Sequence, residues 1–196
     1  MLIENRDDAH IRPACEISWE IDFQRELPEF DQIYEIPFRC TQYTKYQSFQ
    51  YKIIHRIIPS NHWLHKLKIK ESAICTFCQR EDTLMHFFIL CPKTLLFWKS
   101  VYNWWNSLEV PEISYVHNID IIFGYPDNTK YGNAFNYILL IARYHVYKQK
   151  MQNLEPFFPS MLVSLKNQLR VDEKISFKNG NSPQFEENFA FVYNML

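Results

Sequence analysis

Between residues 41 and 58 apolar side chains return every three or four positions, placing Tyr43, Tyr46, Phe49, Ile53 and Ile57 on one helical face. At about 100° per residue, Lys45, Lys52 and Arg56 fall within roughly 40° of one another, in a stripe of their own. The pattern predicts a core-facing helix with a cationic outer stripe. Pro59 ends it, and Ser60 is placed to cap a short second helix containing Trp63, Leu64, Lys66 and Leu67, with Lys68 and Lys70 close behind. Pro92 opens another apolar helix, in which Leu95, Trp98, Tyr102 and Trp105 recur at helical spacing. "NAFNYILLIARYHVYKQKMQ" and "PSMLVSLKNQLRVDEKISF" read as two long helices, and "PQFEENFAFVYNML" as a shorter helix or a strand. Pro13, Pro28 and Pro37 interrupt any long period in the first forty residues, which read as an extended or loosely structured arm anchored by Trp19, Ile21, Phe23 and Phe30. The expected organisation is an arm over residues 1–40, a helical domain over 41–108, a loop connection over 109–132 and a helical region over 133–196. The fold class is mainly α.

Composition adds two constraints. Hydrophobic residues make up 47% of the chain and only three residues are glycine, which excludes disorder and a turn-rich β sandwich. The longest apolar run, "YILLIA", is far below the roughly 20 residues that span a bilayer, and "LIENRDDAH" after Met1 lacks the features of a signal peptide. The expectation is an intracellular protein of nucleus or cytoplasm with no membrane partner, where five cysteines do not form a disulfide framework.

The formal net charge of −1 conceals a dipolar distribution. Residues 1–38 carry three Lys or Arg against ten Asp or Glu, residues 39–99 carry ten against three, and residues 100–196 carry eight against nine. A basic middle third is compatible with a polyanion partner, and equally with docking on the acidic arm.

That basic third also holds "ICTFCQREDTLMHFFILCP", in which Cys75, Cys78, His86 and Cys91 have the spacing C-x2-C-x7-H-x4-C. Two thiolates separated by two residues can share an ion across a tight turn, because Zn–S bonds near 2.3 Å set sulfurs roughly 3.7 Å apart. His86 and Cys91 are five apart, about 140° on an unbroken helix, which forbids a common ion. The helix is therefore expected to break, with Pro92 forcing Cys91 out of the α region and Thr83 capping a short helix that bears His86. A redox CxxC pair would sit beside a βαβ pattern, and none is visible. Three thiolates and one imidazole fill a tetrahedral zinc site, so the expectation is one closed, structural Zn2+ in a Cys3His knuckle joining helices. Cys15 and Cys40 read as buried and inert. His62 and His65 lack further ligands in register and read as solvated or phosphate-facing; His55, His117 and His145 read as ordinary core or surface residues.

With its flanks, this stretch resembles the zinc-binding region that follows the polymerase domain in LINE-type non-LTR retrotransposon reverse transcriptases. The resemblance rests on "HRI" at residues 55–57, Cys75 and Cys78, the Glu81-Asp82 turn, His86-Phe87-Phe88, Cys91 and Trp98. It runs over residues 34–108 and extends less specifically to "LLIARYHVYKQK". It implies contact with element RNA or target DNA and an upstream reverse transcriptase domain as partner. No Tyr/Phe-Ala-Asp-Asp motif and no endonuclease-like acidic and histidine set is present, so the chain is expected to be non-catalytic, a C-terminal fragment of such a polyprotein.

Lys45, Lys52, Arg56, Lys66, Lys68 and Lys70 are the candidate phosphate contacts. Trp63 and Phe77 are candidate stacking residues, although Trp63 shares a side with Leu64 and Leu67 and so reads as core. The rival expectations are a zinc-stabilised structural or protein-interaction module, and an inert retrotransposon relic.

Overall fold

The computed structural model describes residues 12–27, 29–108, 110, 111, 113, 116–193 and 196. The first eleven residues of the expected arm, and Pro28 within it, lie outside the described residues. The helices are α1 (Ala14–Phe23), α2 (Phe30–Cys40), α3 (Thr44–Ile54), α4 (Asn61–Lys66), α5 (Pro92–Asn106), α6 (Asn118–Phe123), α7 (Lys130–Met151), α8 (Phe158–Lys178) and α9 (Ser182–Tyr193). A π-helical turn spans His86–Leu90, immediately before α5. Among the described residues the sole β pairing is an isolated antiparallel bridge between Ile74 and Glu81, so the mainly helical expectation holds.

Helix α7 is the axis of the fold. It is apolar on nearly every side, and fourteen of its twenty-two residues are buried. Such a helix has to be surrounded. Helices α2, α3, α5, α6, α8 and α9 and the π turn all pack on it. Thr129 starts it by accepting a hydrogen bond from the Gly132 amide at 3.2 Å.

The expected extended arm is helical over α1 and α2. Pro13 precedes the first turn of α1, where no donor is required, and Pro37 sits in the last turn of α2. Burial of Phe30, Ile33, Ile36 and Cys40, spaced three or four apart, offsets the lost hydrogen bond. Trp19 is fully buried, donates from Nε1 to the Ile54 carbonyl at 2.8 Å and meets Phe123 edge-on. Ile21, by contrast, is 70% exposed and anchors nothing.

Helix α6 falls inside the stretch expected to be a loop. Its C-terminal carbonyls find buried partners: Arg143 donates to the Ile121 carbonyl and Gln50 to that of Ile122, each at 2.8 Å. The Arg143 guanidinium is wholly enclosed, and burial pulls its pKa down to about 9. Gly124 follows with φ +110°, and a Cβ there would lie 2.8 Å from Asn136 Oδ1 and 2.9 Å from Ile36. That close approach, and the left-handed backbone, make glycine the fitting residue.

Candidate metal centre

Helix α3 ends earlier than its apolar pattern suggests. The Arg56 amide bonds the Ile53 carbonyl and the Ile57 amide bonds that of Lys52, a Schellman arrangement with Arg56 at φ +59°. Ile57 is consequently 46% exposed rather than part of the buried face. Ser60 then caps α4 as expected, accepting from the Trp63 amide at 3.3 Å. No residue of α4 is buried, and Trp63 is 37% and Leu67 47% exposed, so the expectation of a core Trp63 is corrected. The helix is too short to present a full apolar face inward.

After α4 the chain turns into a small loop closed by the Ile74–Glu81 bridge. The Cys75 amide donates to the Arg80 carbonyl at 2.7 Å, and the Gln79 amide back to the Cys75 carbonyl at 3.0 Å. Gln79, at φ +60°, makes the reversal. This knuckle brings Cys75 and Cys78 to one side.

The second pair of side chains comes from the π turn. Thr83 Oγ1 accepts from the His86 amide at 3.1 Å, which caps the short helix as the sequence predicts. The expected break before Cys91 takes another form: the helix widens, with the Cys91 amide bonding the His86 carbonyl at 3.1 Å across five residues. Cys91 itself is extended (φ −66°, ψ 128°), as a residue before proline should be, and serves as the N-cap position of α5 with Pro92 in its first turn.

The outcome is that the three Sγ atoms and a ring nitrogen of His86 all lie within 4.8 Å of one another. Cys75 Sγ is 3.9 Å from Cys91 Sγ, and Cys78 Sγ is 3.2 Å from His86 Nε2. These separations are too long for disulfides and suit the edges of a zinc tetrahedron. Cys75, Cys91 and His86 are 2%, 0% and 4% exposed. Among the described residues no other group of three or more His, Cys, Asp or Glu converges in this way.

The electrostatics favour the ligand protonation state at His86 and Cys91 and oppose it at Cys75. Burial, reinforced by the charge of Lys150, depresses the His86 pKa and keeps the imidazole neutral. Burial opposes the Cys91 thiolate, but Lys150 together with the Lys93 and Thr94 amides at the start of α5 outweighs it and draws the pKa down. Cys75 goes the other way: without an ion, burial pushes its thiol up to about 11. A dication replacing that proton removes the conflict. The donor set therefore fits a soft tetrahedral ion.

Two further residues belong to the centre: Asp82, which the sequence marks only as part of an acidic turn, and Lys150, which it does not mark at all. Asp82, 4% exposed, accepts from the Asn61 amide at 3.1 Å through Oδ2, and its Oδ1 lies 3.5 Å from Lys150 Nζ. Lys150, near the end of α7, also donates to the Phe87 carbonyl at 3.0 Å and lies 4.4 Å from the Phe87 ring centroid. A helix more than fifty residues downstream thus reaches the knuckle.

The six candidate phosphate contacts separate into two groups. All five lysines are exposed, and Lys45 and Lys70, like Arg56, also engage a neighbour. Arg56 bonds Asp22 at 2.7 Å and stacks 4.3 Å from the Trp19 ring, Lys45 lies 4.6 Å from the Tyr144 ring, and Lys70 donates to Asn61 Oδ1 at 2.8 Å. His62 pairs with Glu81 at 2.7 Å, and Phe77 is half-buried. Of the remaining cysteines, Cys40 is buried, donates to the Ile36 carbonyl and is pushed up to about 12, as an inert thiol should be. Cys15 is only half-buried, with Sγ 3.7 Å from His55 Nδ1.

Residues 14–98 match the family described as zinc-binding in reverse transcriptase. The matched stretch begins with α1 and ends inside α5, so it contains all four converging side chains and omits α7. No curated protein and no solved structure matches the chain.

Proposed function

We propose that the chain is a non-catalytic module that holds one structural Zn2+ through Cys75, Cys78, His86 and Cys91 and binds RNA or DNA with an adjoining basic surface. The convergence of four ligand atoms within 4.8 Å carries the metal half of the reading. The ion, when bound, supplies a fixed crosslink between the knuckle, the π turn and the start of α5. With four protein ligands it leaves no position for a reactive water. The match over residues 14–98 supports an accessory role beside a polymerase domain, and the finer reading is a non-LTR retrotransposon reverse transcriptase of the LINE type.

Support for the nucleic-acid half comes from Lys52, Lys66 and Lys68, which are exposed, and from the half-open Trp63 ring of α4. Cations of this kind neutralise phosphates, and an exposed indole stacks on bases. The test is a titration of single-stranded RNA and duplex DNA at several salt concentrations. Affinity is expected to fall steeply with salt, and K52E/K66E/K68E is expected to weaken binding and flatten the salt dependence while retaining zinc. Absence of binding at low salt rejects this half and leaves the metal half standing.

A second reading has a specific observation behind it. Arg56 is held by Asp22 and Trp19 of α1, and this favours basic residues that dock the acidic N-terminal segment in a structural or protein-interaction module.

A further inference from the structure

We infer that Lys150 is the charge-balancing and positioning residue of the metal centre, although it lies outside the matched stretch. The inference rests on the zinc reading above and assigns a fifth residue to it. Zn2+ with three thiolates and a neutral imidazole carries a net charge of −1. Three of its four ligands are almost wholly excluded from water, and an anionic group in such a place is costly unless a cation or amide dipoles answer it.

The Lys150 side chain is 4% exposed, so its ammonium is itself in need of negative partners. Its closest hydrogen bond is to the carbonyl of Phe87, the residue after ligand His86. Lys150, Cys75, Asp82 and Phe87 line one cavity of about 180 Å3. Asp82 Oδ1, at 3.5 Å, is a loose partner, and Asp82 also serves the Asn61 amide. The ammonium therefore lies beside the Asp82 carboxylate and on the backbone next to His86, in a cavity that Cys75 also lines. A cation held at this place lowers the cost of enclosing an anionic zinc–thiolate group. Asp82 carries the opposite charge, so loss of one member of this pair or of the other changes the field at the centre in opposite directions.

That opposition separates a charge role from a purely structural one. Zinc content and zinc affinity, by competition with a chromophoric chelator, are measured on the full chain for wild type, K150M and D82N, with circular dichroism to check folding. Wild type is expected to hold one equivalent. K150M keeps the apolar stem and is expected to bind zinc roughly 10–100-fold more weakly, the usual size of an outer-shell loss. D82N keeps an acceptor for Asn61 and is expected to bind zinc as tightly as wild type or tighter. Cobalt-loaded K150M is expected to show shifted thiolate-to-metal absorption bands, which a loss of packing alone does not produce. A wild-type chain that holds no zinc overturns the metal reading itself. A zinc-loaded wild type with K150M of unchanged affinity overturns only the role of Lys150, as do equal losses in K150M and D82N. If K150M does not fold, D82N decides: weaker zinc binding than wild type overturns the inference, and equal or tighter binding supports it.

Discussion

The backbone amide of Cys91 donates to the carbonyl of His86 at 3.1 Å, and this bond across five residues resolves the geometry of the site. An α turn would leave the two side chains about 140° apart. A π turn carries one more residue per hydrogen-bonded ring, so residues five apart return to nearly the same face. Extended Cys91 and Pro92 then complete the aim. The misfit of the x4 spacing and the presence of proline are readable in the sequence; the choice between breaking and widening the helix is not. It depends on the buried Phe87, Phe88 and Ile89, which the widened turn keeps in the core.

Removing the ion should cost the fold directly. A ligand present at about a thousand times its Kd stabilises by about 4 kcal/mol, and a chain of this length moves by about 2–4 °C per kcal/mol. A strong chelator, or C78S, is therefore expected to lower Tm by roughly 10 °C. Scanning calorimetry with zinc content measured in parallel checks this, and a chelator that leaves Tm unchanged rules the zinc reading out.

Thr83 holds the start of the turn that bears His86. Thr83→Ala is expected to cost about 1 kcal/mol of stability, the usual loss of an N-cap, and to loosen zinc, because His86 is no longer fixed relative to the knuckle. Thr83→Ser should restore both. Chelator competition on the two variants is the measurement; equal zinc affinity in Thr83→Ala and Thr83→Ser argues against the cap.

Much of the helical architecture is legible from apolar spacing, and the exceptions have particular causes. Helices α7 and α8 are long and strongly periodic, and they lie within a few residues of where the pattern places them. The first forty residues mislead because three prolines suggest interruption. The spacing of Phe30, Ile33, Ile36 and Cys40 was the helical signal beneath them; Pro13 stands before the first turn of α1, where no donor is needed, and Pro37 costs one hydrogen bond in α2 that this burial offsets. Trp63 misleads in the opposite sense, since an apolar face on a six-residue helix need not be buried. The convergence of three cysteines and one histidine was readable from spacing, while the approach of Lys150 was not: it belongs to a periodic helix whose core residues account for the pattern by themselves. Only the packing of α7 against the π turn brings its charge to Asp82 and Phe87.

Arg56 separates structural from binding cations. It occupies a left-handed position that a non-glycine residue enters at a cost, and it is compensated by the Asp22 carboxylate and the Trp19 ring. Arg56→Ala is expected to destabilise the fold by about 1–2 kcal/mol, the sum of a partly exposed ion pair and a cation–π contact. Arg56→Lys should recover little, because the stacked planar group is lost. RNA affinity of the folded variants is expected to stay within about twofold of wild type, since removing one phosphate contact would change both affinity and salt slope. Urea denaturation and a binding titration on the same preparations provide the check; a fall in affinity with unchanged stability reverses the assignment.

His145 makes stability depend on pH away from the metal. Its ring stacks on Phe97, with centroids 5.8 Å apart, and its Nε2 lies 3.2 Å from Ser160 Oγ. Burial, helped by the charge of Lys148, outweighs the Phe157 backbone and takes the pKa down to about 4. In the unfolded chain the ring titrates near about 6.5. As pH falls below about 6.5 the unfolded state takes up a proton that the folded state refuses until about pH 4. The unfolded state therefore binds more protons across that window, and stability is lost through it and levels off below. The full shift corresponds to about 3 kcal/mol, of which about 2 kcal/mol falls between pH 7 and pH 4.5. His145→Gln has no titrating ring, so it is expected to be less stable than wild type at pH 7 through lost packing on Phe97. The gap should then close by about 2 kcal/mol between pH 7 and pH 4.5. Protonation of the metal ligands affects both proteins alike and cancels in the difference. Urea denaturation at half-unit pH steps measures it, and a gap that stays constant over that range sinks the assignment of the neutral, buried imidazole.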